Sequence, residues 1–375
     1  MNGQWCSRKV RPVLALTHLT RLHNEIRDFY EFVKPEEYEG AVRRDIIARV
    51  QQVVSTCSSI NTAGKMTEIK CFGSFAAGLY LPVADMDLVA VSPRFMSTGS
   101  KVIGQRPNQM RTLGGYITSA GLAAPNSLIC ITRARVPLVK FTDSVTGIKV
   151  DISFENDSGL IANRTLQDWK AQYPAMPVIV AVIKQLLAMR GLNEVFTGGL
   201  GGFSIVCLVV SMLQLMPEVQ SGSMNPEQHY DHLLMHFLDL YGDKLDIRNT
   251  GIMLDPPGYY NKMQQGGRAS DLDKLTIIDP NNASNDLSGG SRRINEVLDV
   301  FRGARSMLQR RIDKVSRGED VQESMLGCIL GGNYASFRQQ RDRLAEVHRD
   351  MVQGRLDRGR NGEFAGRGRN GRRGY

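Results

Sequence analysis

The chain has no pair of cysteines at the spacing that a metal or redox motif needs. Its six, Cys6, Cys57, Cys71, Cys130, Cys207 and Cys328, are scattered and contain no CxxC. That pattern predicts reduced thiols of the cytosol or nucleus and excludes a disulfide framework or a zinc site. No apolar core follows the charges at the N-terminus, so no signal peptide is expected. Long apolar runs are lacking too. The longest, Phe203 to Met216, is too short to span a bilayer and reads as a buried helix. Together these absences predict a soluble intracellular protein with no membrane partner.

What is present is 375 residues, enough for about two domains with a sizeable core. The formal net charge of +9 favours a polyanionic partner such as nucleic acid or nucleotide. Between Arg355 and Tyr375, seven arginines face only Asp357 and Glu363, so five of the nine excess charges lie in the last 21 residues and the body keeps +4. This tail, ending FAGRGRNGRRGY, has no apolar periodicity and is expected to be disordered. It is similar to RGG-type segments, whose arginines hold RNA backbones and stack on bases. An inert solubilising tail is the plainer reading.

Two amphipathic helices are predicted first. One runs through THLTRLHNEIRDFYEFVK and ends before Pro35; the next runs from about Pro35 to Val54, with Val42, Ile46, Ile47, Val50 and Val54 on one face. EIKCFG and MDLVAVS then read as short buried strands around a turn of helix. RARVPLVKFT and GIKVDISFE alternate around the polar turn Asp143–Thr146, a hairpin signal. After Asn156 the strand signals stop. Helices are expected over Pro177–Arg190, from Phe203, over HYDHLLMHFLDLYG and over RRINEVLDVFRGARSMLQRRI, with GGRASDLDK and DPNNASNDLSGGSRR as polar loops. The fold class is α+β: a sheet-containing unit joined to a largely helical one.

The chemistry centres on FGSFAAGLYLPVADMDLVAV. Asp85 and Asp87 come eleven and thirteen residues after Ser74, at the mouth of the second strand. Alternate strand residues share a face, so these carboxylates point the same way and repel unless a cation joins them. Oxygen ligands suit Mg²⁺, which leaves its other positions to substrate phosphates. Asp151, set between Val150 and Ile152 in an otherwise apolar strand, is a candidate third carboxylate. Gly73 lets the backbone approach a phosphate, and Ser74 offers a hydroxyl. Separately, a GS pair reads as a helix cap and a DxD as a solvated loop; the strand–turn–helix–strand spacing makes them one motif.

This arrangement resembles the signature of the DNA polymerase β-like nucleotidyltransferase superfamily. FGSFAAGLYLPVADMDLV, VDISFEND, VIKQLLAMRGLNEVFTGGLGGFSI, HFLDLYG and DPNNASNDL resemble one branch more closely: the Trf-type nuclear non-canonical poly(A) polymerases, the catalytic-subunit type of the TRAMP polyadenylation complex. The resemblance runs from about residue 36 to 310. It implies a nucleotidyltransferase catalytic domain at 36–160, a mixed sheet with flanking helices, and a mostly helical central PAP-associated domain at 161–318, with a cleft between them. Residues 1–35 would be an N-terminal helix packing on the central domain, 319–354 a C-terminal helical segment and 355–375 the tail.

The implied reaction adds AMP from ATP to RNA 3′ ends without a template, by two-metal catalysis with Mg²⁺ or Mn²⁺, in nuclear RNA surveillance and decay. Asp85, Asp87 and Asp151 would hold metal, Asp151 also assisting deprotonation of the 3′ oxygen. Gly73, Ser74 and Lys184 would bind the triphosphate, Asn163 the ribose and Phe203 the base, with Asn285 and Asp286 against the adenine edge. Asn and Asp can accept from adenine's exocyclic amine, which uracil lacks. Lys184 otherwise reads as a surface lysine and Phe203 as core. At Ala188 relatives can carry a second polar or basic group, whose absence is expected to weaken triphosphate binding. Implied partners are a zinc-knuckle RNA-binding protein and a DExH RNA helicase, in the nucleus or nucleolus; RNA capture is expected to depend on them and on the tail. The alternatives are a terminal uridylyltransferase and an inert RNA-binding scaffold, the latter disfavoured by the intact set of acids. His229, His232 and His236 mimic a metal site but are expected to be structural, because one helix supplies no fourth ligand.

Overall fold

The computed structural model describes residues 18–61, 66–134, 136–264, 272–319 and 322–356. Cys6 and nearly all of the Arg/Gly tail lie outside the described residues.

Helix α1 (His18–Val33) stops ahead of Pro35, and α2 (Glu37–Thr56) opens with Glu37 and Glu39, where carboxylates suit the positive end of the helix dipole. Val42, Ile46, Val50 and Val54 form its buried face, as expected, with Ile47 half-buried at the margin. Strands β1 (Glu68–Phe72) and β2 (Met86–Val91) flank a single helical turn, α3 (Gly73–Ala77). Then come α4 (Pro93–Thr98), α5 (Pro107–Ser119), β3 (Ile129–Ile131), β4 (Leu138–Thr142) and β5 (Lys149–Phe154). The helices α6 (Ser158–Gln172), α7 (Met176–Ala188), α8 (Gly202–Leu215), α9 (Pro217–Gln220) and α10 (Tyr230–Asp239) follow. Two hairpins come next, β6 (Thr250–Leu254) with β7 (Pro257–Asn261) and β8 (Ile278–Asp279) with β9 (Asn282–Asp286). Helices α11 (Ile294–Ser316), α12 (Gly327–Leu330) and α13 (Ala335–Val352) complete the described chain. No single helix among the described residues is long and apolar enough to cross a membrane.

The two hairpins correct the expectation that strands end at Asn156. Their strands are short and rich in Gly, Pro and Asn, so neither length nor β-propensity announced them. DPNNASND, expected to be a loop, is the β8–β9 hairpin with an irregular register. The helix expected through HYDHLLMHFLDLYG ends at Asp239, and Leu240–Lys244 widens into a π-turn.

The described chain divides into two compact units. The first takes the described part of Met1–Glu36 with Cys71–Asp87 and Asn156–Gln339; the second takes Glu37–Lys70, Leu88–Glu155 and the described part of Gln340–Tyr375. Compared with the boundaries expected from sequence, Cys71–Asp87 groups with the helical segments and α13 largely with the sheet. In the first unit, Leu22, Ile26 and Phe29 of α1 join a core with Ile179, Ile183 and Leu186 of α7, Phe237 of α10 and Phe301 of α11.

The five-stranded sheet runs β1-β2-β5-β4-β3, and all of it except Cys71, Phe72, Met86 and Asp87 falls in the second unit. The expected hairpin is present: β4 and β5 pair antiparallel from Thr142↔Lys149 to Leu138↔Ser153. Its turn is closed by Asp143, which accepts from Thr146 N (2.9 Å), Thr146 Oγ1 (2.7 Å) and Arg49 Nη1 (2.7 Å). At the β1 edge, Gln51 of α2 donates to Thr67 O (3.0 Å) and accepts from Ile69 N (2.7 Å), covering groups that an edge strand leaves open. Helix α13 is fastened through Arg341 to Glu39 (3.1 Å) and Gln340 to Thr146 O (3.1 Å).

Glu155, just past β5, is fully buried, and its carboxylate accepts from Ser92 Oγ (2.5 Å), Ile103 N (3.0 Å) and Val102 N. One side chain therefore fixes both the start of α4 and the loop before α5. Removing it leaves these donors buried and unpaired. Glu155→Ala is expected to destabilise this unit by about 3 kcal/mol, seen as a lower urea midpoint and faster hydrogen exchange at the Val102 and Ile103 amides.

Candidate active site

Gly73 has φ +73°, a left-handed conformation that disfavours any residue with a Cβ. A second constraint falls on the same atom. A Cβ built there would lie 2.2 Å from Asp87 Oδ2 and 3.0 Å from Asp87 Cγ. Glycine is thus required both for the turn into α3 and for the approach of the carboxylate. Ser74 follows in that turn, and its carbonyl accepts from Leu79 N (2.9 Å) as Gly78 ends the helix with φ +66°. Asp85 precedes β2 and Asp87 lies within it; Met86 between them is buried and both acids are half-buried, so the carboxylates face away from the core side.

Lys184, on α7, donates from Nζ to Leu79 O (2.9 Å), in the loop that leaves α3. Burial pulls its ammonium down to about 8, while Asp85 and Asp87 act in the opposite direction and favour the charged form. The first residue of α8 is close by, since a Cβ on Gly202 would lie 3.5 Å from Lys184 Nζ.

Helix α6 supplies a row of side chains that the sequence reading met only in part. Asn163, Gln167 and Lys170 recur four and three residues apart, on one helix face. Their nitrogens donate to Cys71 O (3.5 Å), Ala76 O (3.0 Å) and Ala77 O (3.1 Å) respectively. Gln167 and Lys170 thereby hold the last carbonyls of α3. Asn163 Oδ1 is buried with no hydrogen-bond partner among the described residues.

The β8–β9 hairpin is fastened to the same elements. Thr165 Oγ1 donates to Asn281 Oδ1 (2.7 Å), and Ser204 Oγ to Leu287 O (3.2 Å). Phe203, half-buried, stacks on Trp169 with ring centroids 6.3 Å apart. Asn285 Nδ2 donates to Asp279 Oδ2 (2.9 Å), which fixes the orientation of its amide. Asp286 does different work. Its Oδ1 accepts from Ile277 N (3.1 Å), Ser288 N (2.9 Å) and Ser288 Oγ (2.7 Å), which closes the hairpin base. Neighbouring strand residues point to opposite faces, which argues against the expectation that Asn285 and Asp286 read one base edge together.

Asp151 belongs to the second unit. It sits on β5, next to β2 in the strand order, opposite Lys140 of β4, and Lys140 Nζ lies 2.6 Å from Asp151 Oδ2. Lys140 was not foreseen; the hairpin register that pairs it with Asp151 was the only signal available. The other expected site residues, Gly73, Ser74, Asp85, Asp87, Asn163, Lys184, Phe203, Asn285 and Asp286, fall in the first unit. Among the histidines, His229 Nδ1 lies 2.9 Å from Asn225 O, and the His232 and His236 rings are 6.3 Å apart. No metal-holding group of three is found among the described residues.

Residues 22–171 match the model of the central palm domain of mitochondrial-like poly(A) RNA polymerase, and residues 232–285 match that of the Cid1 family poly A polymerases. The chain is 30% identical to the inactive non-canonical poly(A) RNA polymerase protein Trf4-2 of Drosophila melanogaster, over 81% of this chain and 71% of that protein. The chain belongs to the non-canonical poly(A) RNA polymerase family. Within it, poly(A) RNA polymerase cid14 of Schizosaccharomyces pombe is 33% identical over 88% of this chain, which spans 47% of that longer protein. The solved polymerase core of TRAMP, a RNA surveillance complex, superposes with a TM-score of 0.72 at 29% identity, covering 84% of this chain and 96% of that one.

Gly73→Ala is expected to push the Asp87 carboxylate aside and to cut nucleotide incorporation into RNA by about a hundredfold or more. Gly78→Ala is the comparison: its φ is also positive, but its Cβ would meet Lys170 Nζ at 2.9 Å and no carboxylate. Equal losses in the two variants would assign the effect to backbone strain.

Proposed function

We propose that this chain adds AMP from ATP to the 3′ hydroxyl of RNA without a template. The observation that carries this reading is the gathering of Gly73, Asp85, Asp87 and Lys184 in one compact unit, with Lys184 in the field of both carboxylates. Asp85 and Asp87 are oxygen donors of the kind that suits Mg²⁺ or Mn²⁺. Asp87 stands against Gly73, where a methyl group would already intrude. When bound, the cation would offset phosphate charge and make the attacking oxygen a better nucleophile. Asp151 is proposed as the third carboxylate of the set.

The chain's own residues then divide the work. Asp151, its Oδ2 held by Lys140, takes the proton of the 3′ hydroxyl. The freed oxygen bonds to the α-phosphorus, the bond from that phosphorus to the bridging oxygen breaks, and pyrophosphate leaves. Lys184 would meet the charge that grows on the leaving group. A buried acceptor without a donor costs about 1–3 kcal/mol, and a ribose hydroxyl would satisfy Asn163 Oδ1. Phe203, backed by Trp169, would stack on the base. Asn285 Oδ1 would accept from the adenine amine. The likeness to the polymerase core of TRAMP, a RNA surveillance complex, supports a place in RNA surveillance; a nuclear location and partnership with a zinc-knuckle RNA-binding protein and a DExH helicase are proposed with it.

The test is extension of an oligoadenylate with each nucleoside triphosphate in turn, with Mg²⁺ or Mn²⁺, by the wild-type chain and the Asp85→Ala, Asp87→Ala double variant. ATP-dependent lengthening that the double variant loses is expected; equal lengthening by both proteins would overturn the site. In the same assay Asn285→Ala is expected to lower the preference for ATP over UTP about tenfold, the scale of one well-made base contact.

A further inference from the structure

From Leu88 to Thr142 the sequence contains seven Lys and Arg and no Asp or Glu. The whole stretch falls in the second unit. Arg94, Lys101, Arg106, Arg111 and Arg133 are exposed, and none of the five has a carboxylate partner among the described residues. That is unusual beside the first unit, where Arg293, Arg302, Arg305 and Arg311 all sit on acids.

The fold ties together the segments that carry these cations. Glu155 pins Ser92 and the Val102–Ile103 amides together, so Arg94 and Lys101 start within two residues of one buried carboxylate. Gln109 Nε2 donates to Val102 O (3.4 Å) and its Oε1 accepts from Arg106 N (3.3 Å), which folds the loop back on the first turn of α5. Arg111 is on the next turn. There Cys130 Sγ of β3 reaches Met110 O (3.7 Å), and Arg133 follows the end of that strand at the sheet's edge. Tyr116, on α5, is also exposed.

We propose that this surface, formed by α4, the loop before α5, the start of α5 and the end of β3, binds the backbone of single-stranded RNA. Unpaired cations on a rigid frame release counterions when they meet phosphates, and an exposed ring offers a stacking platform. The inference rests on the adenylyl-transfer reading for its choice of RNA. It adds a binding site in the folded chain to the capture by tail and partners expected from sequence.

The full chain carrying Arg94→Gln, Lys101→Gln, Arg106→Gln and Arg111→Gln would be titrated with oligoadenylate at several salt concentrations. The control would carry the same charge loss at exposed Lys274, Arg310, Lys314 and Arg317. At 150 mM salt the first variant is expected to bind RNA about tenfold or more weakly, with the slope of log affinity against log salt shallower by about 3. Its KM for ATP should match wild type. Affinity and slope unchanged, or lowered no more than in the control, would overturn the proposal. A wild-type chain that binds through these cations yet extends no RNA would fail the adenylyl-transfer reading alone.

Discussion

The constraint on which the candidate site depends lies between a backbone and a carboxylate. Gly73 presents a bare Cα to Asp87, at a point where the next carbon would overlap an oxygen. From that contact the neighbouring features follow. The left-handed turn at Gly73 starts α3, the helix ends after five residues at Gly78, and the chain returns through Leu79, whose carbonyl holds Lys184. Burial alone would drive the Lys184 ammonium towards its neutral form, and proximity alone would set the two acids against each other. Each opposes the other's penalty. A cluster of this kind is costly for folding and useful for holding a charged substrate, which is where strained arrangements concentrate.

Helix α6 makes that cluster rigid. Gln167 and Lys170 take the C-terminal carbonyls of α3, groups that a one-turn helix cannot satisfy itself. Thr165 of the same helix fastens the β8–β9 hairpin. One helix therefore positions the turn proposed to meet the phosphates and the hairpin proposed to read the base. The base-reading amide is also fixed in orientation, because only the nitrogen of Asn285 can donate to the Asp279 carboxylate.

Much of this was legible in the chain. Apolar, branched runs around FGSFAAGLYLPVADMD announced β1, β2 and the turn between them. The alternation of RARVPLVKFT and GIKVDISFE announced the β4–β5 hairpin and the polar turn between its strands. What stayed hidden depends on register and on contacts between distant segments. Lys140 stands opposite Asp151 only once the hairpin pairing is known. The Gly73–Asp87 approach joins residues fourteen apart through a helical turn. DPNNASND was read as a loop because Asn and Pro signal turns. The period-two rule, which separates Asn285 from Asp286, holds only where the segment is a strand.

The whole-chain charge concealed the most. A body charge of +4 reads as unremarkable, yet it averages an acid-free stretch of 55 residues with segments where arginines are matched by carboxylates. Electrostatic attraction acts over about a Debye length, roughly 8 Å at physiological salt, so a partner meets local charge and never the sum. Glu155 and Gln109 fold the segments that carry Arg94, Lys101, Arg106 and Arg111 onto one frame, which is what the proposed RNA surface requires. Both anchors are polar groups buried or half-buried beneath the surface they organise. A composition count cannot register that arrangement, whereas the pattern of where acids are missing, read against the fold, does.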